Sequence, residues 1–292
     1  MATATSVHPR SNQSARAQKM AGKIATYAAL ILLSALFVFP FYWMIRSSLM
    51  PKHLLNIWPP IWWPNPPVWE NYVQAFSNPF LPFGKFFKNT MILEVGMITG
   101  RLISVTMIAY GFARLRAPGK NFLFLILLMT LMLPGAVLLI PKFVFFSRLG
   151  WINTFYPLII PAWFGEAYAV FLFRQFFLSL PRELEESAII DGANIFQIIT
   201  RIIIPLSIPV YAVITIFSFR DIWNDFMGPL LYLSSLDKYT IAVGLAFFSG
   251  QYTSEPQLQM AASVVFTIPI IILFFFTQRA FVEGIQMTGL KG

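Results

Sequence analysis

Long stretches free of Lys, Arg, Asp and Glu set the terms for this chain, because a helical bilayer crossing needs about 20 apolar residues in succession. Ile24 to Ile45 is uncharged between Lys23 and Arg46; Asn121 to Pro141 lies between Lys120 and Lys142; Pro256 to Gln278 lies between Glu255 and Arg279. A fourth stretch, Leu149 to Phe173, carries only Glu166. A fifth, Pro205 to Leu230, holds Arg220, Asp221 and Asp225 in its second half, and a sixth, Asn89 to Ala113, is interrupted by Glu94 and Arg101. The spacing predicts an all-α membrane protein with six transmembrane helices. Composition agrees, since 57% of the 292 residues are hydrophobic and only 11% are charged, well away from the balance of soluble domains.

Alternate connections then fall on opposite sides of the membrane. Twelve Lys and Arg lie on the side holding both termini and seven on the other, with Arg101 and Arg220 inside spans. The positive-inside tendency therefore predicts cytoplasmic termini. The net charge of +9 is spread along the chain rather than gathered in one patch, which suits lipid headgroups and topology and points to no nucleic acid. Residues 1–22, rich in Ala, Ser, Thr, Gln and basic residues, read as a flexible cytoplasmic tail that implies no fold. The first apolar stretch lacks a small-residue cleavage site and is too long for a signal peptide, so it reads as a retained helix. A six-span domain follows over 23–282, with a cytoplasmic tail over 283–292.

The external loop, 50–85, holds the prolines and tryptophans of the segment from Pro51 to Lys85. Trp58, Trp62, Trp63 and Trp69 suit the headgroup level or a partner on the outer face, in a chain expected to be extended and turn-rich. With zero cysteines there is no disulfide, thiolate metal site or cysteine nucleophile. His8 and His53 belong to no ligand cluster, so neither metal nor other cofactor is implied.

The connection between the fourth and fifth stretches, 180–206, differs in character. It reads LPRELEESAIIDGANIFQIITRIIIPLSIP from Leu180 to Pro209. Pro181 suits a first helical turn, and Glu183, Glu185 and Glu186 follow where the helix dipole favours negative charge. A short helix is predicted over Pro181 to Ile190. Asp191-Gly192 supplies a turn, and Gly192 also permits close approach by another backbone. Ile195, Phe196, Ile198, Ile199, Ile202 and Ile203 give a second helix an apolar stripe, before Pro205 and Pro209 interrupt the backbone. On the residues alone this is a helix-turn-helix elbow, either bedded in lipid through its isoleucines or presented to a partner.

Glu186-Ser187-Ala188, three residues, Gly192, nine residues, then Ile202-Ile203-Ile204-Pro205 resembles the EAA signature of ABC importer permeases. The register matches throughout, with Ser187 in place of an alanine and Ile204 in place of a leucine. Asn71-Tyr72, the run FLFRQFF from Phe171, Trp223-Asn224 and the terminal QRAFVEGIQMTGLKG from Gln278 look like the carbohydrate-uptake branch of that family. The resemblance covers nearly the whole chain from about residue 24.

It implies a type I importer bundle in a prokaryotic cell membrane, paired with a second permease subunit, two ATPase subunits and an external solute-binding protein, and carrying a carbohydrate. It also implies that Glu186, Ser187, Ala188, Asp191 and Gly192, with Glu185, Ile202 and Pro205 around them, form the ATPase-coupling element. The tail ending in Lys291-Gly292 resembles one that reaches toward the ATPase. The chain has no G-x-x-x-x-G-K-[ST] phosphate loop, so ATP hydrolysis is expected on the partners and not here.

Ionisable groups at membrane depth are costly and face the bundle interior or a wet cavity. Glu94 and Arg101 lie on one helical face and are expected to pair with other helices or another subunit rather than with each other. Arg220, Asp221, Trp223, Asn224 and Asp225 are candidates either for the carbohydrate pathway or for subunit packing, as are Glu94 and Arg101. Pro134, Pro157, Pro161, Pro209 and Pro269 are expected to kink or break spans. An ion-gradient transporter using Glu94, Glu166 or Asp221 is the competing reading on composition. It leaves the EAA register unexplained, and scattered acids with two histidines argue against a membrane enzyme.

Overall fold

The computed structural model describes the backbone of residues 11–78, 81–248 and 255–289, and the side chains of 19–78, 81–248 and 255–278. Among these residues there are helices and connecting segments and no strand. That outcome follows from the solvent, because a lipid-facing backbone must satisfy its polar groups within its own segment.

The helices are, in order, α1 (Ser11–Ser48), α2 (Glu70–Ser77), α3 (Phe83–Arg114), α4 (Lys120–Met129), α5 (Leu139–Arg148), α6 (Tyr156–Ala162) and α7 (Ala167–Ser179). There follow α8 (Glu183–Ile190), α9 (Ile195–Ile198), α10 (Ile204–Leu206), α11 (Ile208–Trp223), α12 (Met227–Tyr232), α13 (Ile241–Phe247) and α14 (Pro256–Gly289). Among the described residues, four segments are long and apolar enough to cross a bilayer: Lys19–Ser48, Phe83–Arg114, Tyr156–Ser179 and Pro256–Gln278. Two bent pairs bring the number to six if each is one span.

The bends correct the expected spans. Asn121 to Pro141 is not a straight crossing: Lys120–Met132 and Gly135–Arg148 meet at 92°. Pro134 stands between them in extended backbone, where its missing N–H and its restriction on the preceding residue end the helix. The fourth span lies several residues later than expected, at Tyr156–Ser179. The fifth stops at Trp223, so Asn224 and Asp225 lie beyond it. Pro209 sits in the first turn of α11, next to a 78° bend between Ile195–Leu206 and Ile208–Trp223. Pro269 stays inside an unbroken α14.

Both ends of the chain also differ from a simple tail-and-span picture. α1 begins at Ser11, inside the 1–22 segment for which the sequence implies no fold. α14 runs to Gly289, and the expectation for Lys291 and Gly292 falls outside the described residues. The 50–85 segment, expected to be external, is not wholly extended, since α2 forms within it. Buried Asn71 explains how this loop is fastened: its side-chain amide donates to the carbonyls of Ser48 and Met50, each at 2.9 Å. Tyr72 adds a hydroxyl contact to Ser48 Oγ at 2.7 Å.

α3 is the central helix, packed against α6, α7, α11 and α13, while α14 packs against α1, α2 and α11. Within lipid, helices associate by close van der Waals fit and small residues rather than by escape from water. Gly100 shows the point: a Cβ there would stand 2.3 Å from the Trp163 indole, whose nitrogen donates to the Gly96 carbonyl at 3.1 Å. One core, formed by Val105, Ala109, Phe173, Phe177, Ile198, Ile203 and Ile214 among others, joins α3, α7 and α11 to the elbow. The elbow is therefore part of the bundle's packing and not an appendage to it.

Candidate functional site

The elbow is built as its local chemistry dictates. α8 starts at Glu183 rather than Pro181, with Glu183, Glu185 and Glu186 in its first turn. Its end is closed by Gly192 at φ +83°. There the Gly192 N–H donates to the Ile189 carbonyl at 3.0 Å and the Ala193 N–H to the Ala188 carbonyl at 2.9 Å, the two bonds of a Schellman cap. Two residues later a reciprocal capping box opens α9: Asn194 Oδ1 accepts from the Gln197 N–H, and Gln197 Oε1 accepts from the Asn194 N–H, both at 2.9 Å. A stop and a start signal thus fix the turn from both sides.

The second helix is not uniform. Ile199–Ile203 is a π-helix, in which the Ile204 N–H reaches back to the Ile199 carbonyl. Pro205 accounts for it, since a proline removes the donor to the carbonyl four residues earlier and crowds that carbonyl. Ile198, Ile199 and Ile203 are buried in the core, whereas Ile195 and Phe196 are exposed. Ile202 is half-buried and Pro205 exposed. The stripe read from the sequence therefore divides into an inward part and an outward part.

Glu185 departs from its expected setting among partner-facing residues. It is buried, with Oε1 at 2.6 Å from Arg114 Nε and Oε2 accepting from the Tyr110 hydroxyl at 3.0 Å. Arg114 also donates through Nη2 to the Leu180 carbonyl at 2.8 Å. A buried ion pair offsets its desolvation only when its remaining groups are bonded, and Tyr110 and the Leu180 carbonyl fill that role. Arg114 and Tyr110 are not among the residues that the sequence singles out for the site.

What remains outward is a compact face. Glu186, Ser187, Asp191 and Gly192 are exposed, as are Ile189 and Ile190, the latter 85% accessible. Ala188 is half-buried and packs onto the core. No atom of the described residues lies within 4 Å of a Cβ placed on Gly192, so that position opens onto free space. Beside the elbow a cleft of about 770 Å³ is lined by Tyr110, Arg114, Glu185, Ile189, Ile195 and Phe196, with others.

The candidates at membrane depth separate into distinct settings. Arg101 pairs across helices, with Glu166 Oε2 at 3.2 Å from its Nε and its Nη1 donating to Ser218 Oγ at 2.7 Å. Glu94 is 3% accessible, and neither carboxylate oxygen meets a hydrogen-bond partner among the described residues. Arg220 directs Nε and Nη2 to Asp221 Oδ1 at 3.1 and 2.7 Å. Asp225 does not join them: its Oδ1 accepts from the Gly228 N–H at 3.0 Å. Asn224 donates to the Arg220 carbonyl at 2.7 Å. Trp223 is a core residue, its indole donating to the Phe266 carbonyl at 3.1 Å and its ring stacked on Phe219.

The family model described as "Binding-protein-dependent transport system inner membrane component" matches residues 103–286. The arabinooligosaccharides transport system permease protein AraQ of Halalkalibacterium halodurans is 34% identical over 257 residues, covering 87% of this chain and 91% of that protein. The trehalose/maltose transport system permease protein MalG of Thermococcus litoralis is 33% identical over 266 residues, covering 90% and 94%. A chain of a bacterial ABC transporter involved in import of the acidic polysaccharide alginate shares the fold, with a TM-score of 0.78 at 22% identity, covering 95% of this chain and 100% of that one.

Proposed function

The chain belongs to the family of binding-protein-dependent transport system inner membrane components and is a membrane-embedded permease subunit of an ABC importer; we propose that it carries a carbohydrate and takes its drive from a separate ATPase through the 180–206 elbow. Relatives named for arabino-oligosaccharides and for trehalose and maltose support the cargo class. The working complex in this reading holds a second permease subunit, two ATPase subunits and an external solute-binding protein, with both termini of this chain in the cytoplasm.

The observation that carries the coupling role is the split exposure of the elbow. Glu186, Ser187, Asp191 and Gly192 face outward, while Glu185 is locked inward on Arg114 and Tyr110. A surface that is pushed by a partner needs a rigid attachment to what it moves. The Arg114–Glu185 pair attaches α8 to α3, and the buried isoleucines attach the second helix to the core next to α11. Displacement of the outer face then reaches two spans at once, and the broken helices at Pro134 and Pro209 give the bundle places to bend.

The test is reconstitution of the complete complex in lipid vesicles with ATP enclosed, followed by uptake of labelled maltose and arabinotriose. ATP-dependent uptake that needs the binding protein supports the reading. Uptake that persists without the ATPase subunits and collapses with the proton gradient would favour an ion-driven transporter instead.

A further inference from the structure

A second cavity, of about 240 Å³, lies between α3, α7 and α11. Its polar wall is Arg101, Glu166, Tyr168, Ser218, Arg220 and Asp221, with Ile214 and Phe217 beside them. Arg101 lies about 27 Å along α3 from Phe83 at 1.5 Å per residue, so the wall is well inside the span. Glu166, Arg220 and Asp221 nonetheless leave roughly half of their side chains accessible, at 46%, 64% and 57%. Charges so exposed at that depth face water or protein rather than lipid.

The charges are matched in number and in place. Arg101 stands against Glu166 and Ser218, and Arg220 against one oxygen of Asp221. Two guanidinium groups and two carboxylates cancel, and they offer donors and acceptors side by side with the Tyr168 phenol. Paired donors and acceptors of this kind hold hydroxyl groups by charge-assisted bonds, whereas a balanced site gives no net attraction to an anion. The volume lies below the range of about 300–1,000 Å³ that suits drug-sized ligands, and so fits one ring-sized unit of a longer molecule.

We propose that this cavity is a cargo-binding subsite for a single neutral sugar ring, and that its charge balance directs the transporter to neutral carbohydrates over acidic ones. The proposal rests on the importer reading above and narrows it. Glu166, Tyr168 and Ser218 join Arg101, Arg220 and Asp221 as the residues that touch the sugar.

The complete transporter, with its ATPase, second permease and binding protein, is given labelled maltose, arabinotriose and an alginate trisaccharide in turn. Uptake of a neutral sugar in preference to the alginate fragment is expected. Alginate taken up as well as or better than the neutral sugars overturns the charge argument and leaves the importer reading standing. ATP-driven uptake of none of the three overturns the carbohydrate reading, and the subsite with it.

The residues are tested on the transported sugar. Glu166→Gln and Asp221→Asn each break the balance and are expected to raise KM about tenfold with a smaller change in kcat. Tyr168→Phe keeps the ring, removes one hydroxyl and is expected to raise KM about threefold. A wall that only packs subunits together would lower kcat or the yield of complex at constant KM. Unchanged KM in Tyr168→Phe and in whichever carboxylate variant assembles overturns the proposal.

Discussion

Arg114 Nε stands 2.6 Å from Glu185 Oε1, with 5% and 10% of the two side chains accessible, and this contact joins the last turn of α3 to the first turn of α8. Removing one partner of a buried pair strands the other charge, which costs about 3–5 kcal/mol. Arg114→Gln and Glu185→Gln are therefore each expected to lower the melting temperature of the detergent-solubilised protein strongly. The apolar double replacement Arg114→Met with Glu185→Leu should cost less than either single change. Two single losses that simply add in the double variant would show that the pair does not act as a unit.

The elbow was legible in the sequence because its signals are local: acids in a first turn, glycine at a helix end, proline before a span. The direction of Glu185 was not, because its burial depends on Arg114 and Tyr110, far away along the chain, and an acid beside Glu186 carries no mark of facing inward. Trp223 was open for the same reason, since only Phe266 and Phe219 show that its indole is spent on packing. Span count followed from uncharged length. Whether a proline is carried inside an unbroken helix, as in α14, or stands where the helix splits, as at Pro134, depends on neighbours that a hydropathy pattern does not contain.

Gly192 combines φ +83° with open space around its Cβ position. Leucine there would cost about 1–3 kcal/mol of backbone strain and would project from the outward face. Gly192→Leu is expected to leave the protein in the membrane while uncoupling ATP hydrolysis from uptake, and Gly192→Asn, which tolerates the left-handed region better, should retain more coupling. Normal uptake by the leucine variant would count against a docking role.

Gly100 has no such space. A side chain at this position drives into the Trp163 ring at 2.3 Å, and overpacking of this kind costs about 1–3 kcal/mol. Gly100→Leu should lower the melting temperature, and pairing it with Trp163→Ala should restore part of the loss.

Lys52 Nζ lies 2.8 Å from Glu255 Oε1, and this hydrogen bond holds the Glu255 carboxyl below its ordinary range. A carboxyl whose folded value is depressed contributes stability above its unfolded pKa, near 4.3, and loses it as pH falls through the lower folded value. Melting curves between about pH 6 and about pH 3 should fall less steeply in Glu255→Gln than in the parent. Identical slopes would mean that the pair does not form in solution. The effect is expected to be small, because both side chains are partly exposed and screened.

The claim that the outward face of the elbow meets the ATPase can be tested by contact. The chain contains no cysteine, so Asp191→Cys introduces a single reactive thiol on that face and Trp58→Cys a single thiol on the 50–85 segment. In the assembled, transport-active complex, a short thiol-directed cross-linker is predicted to join position 191 to an ATPase subunit and to leave position 58 unjoined to it. Failure of position 191 to cross-link in an active complex, or an equal yield from position 58, would contradict the coupling role assigned to the elbow.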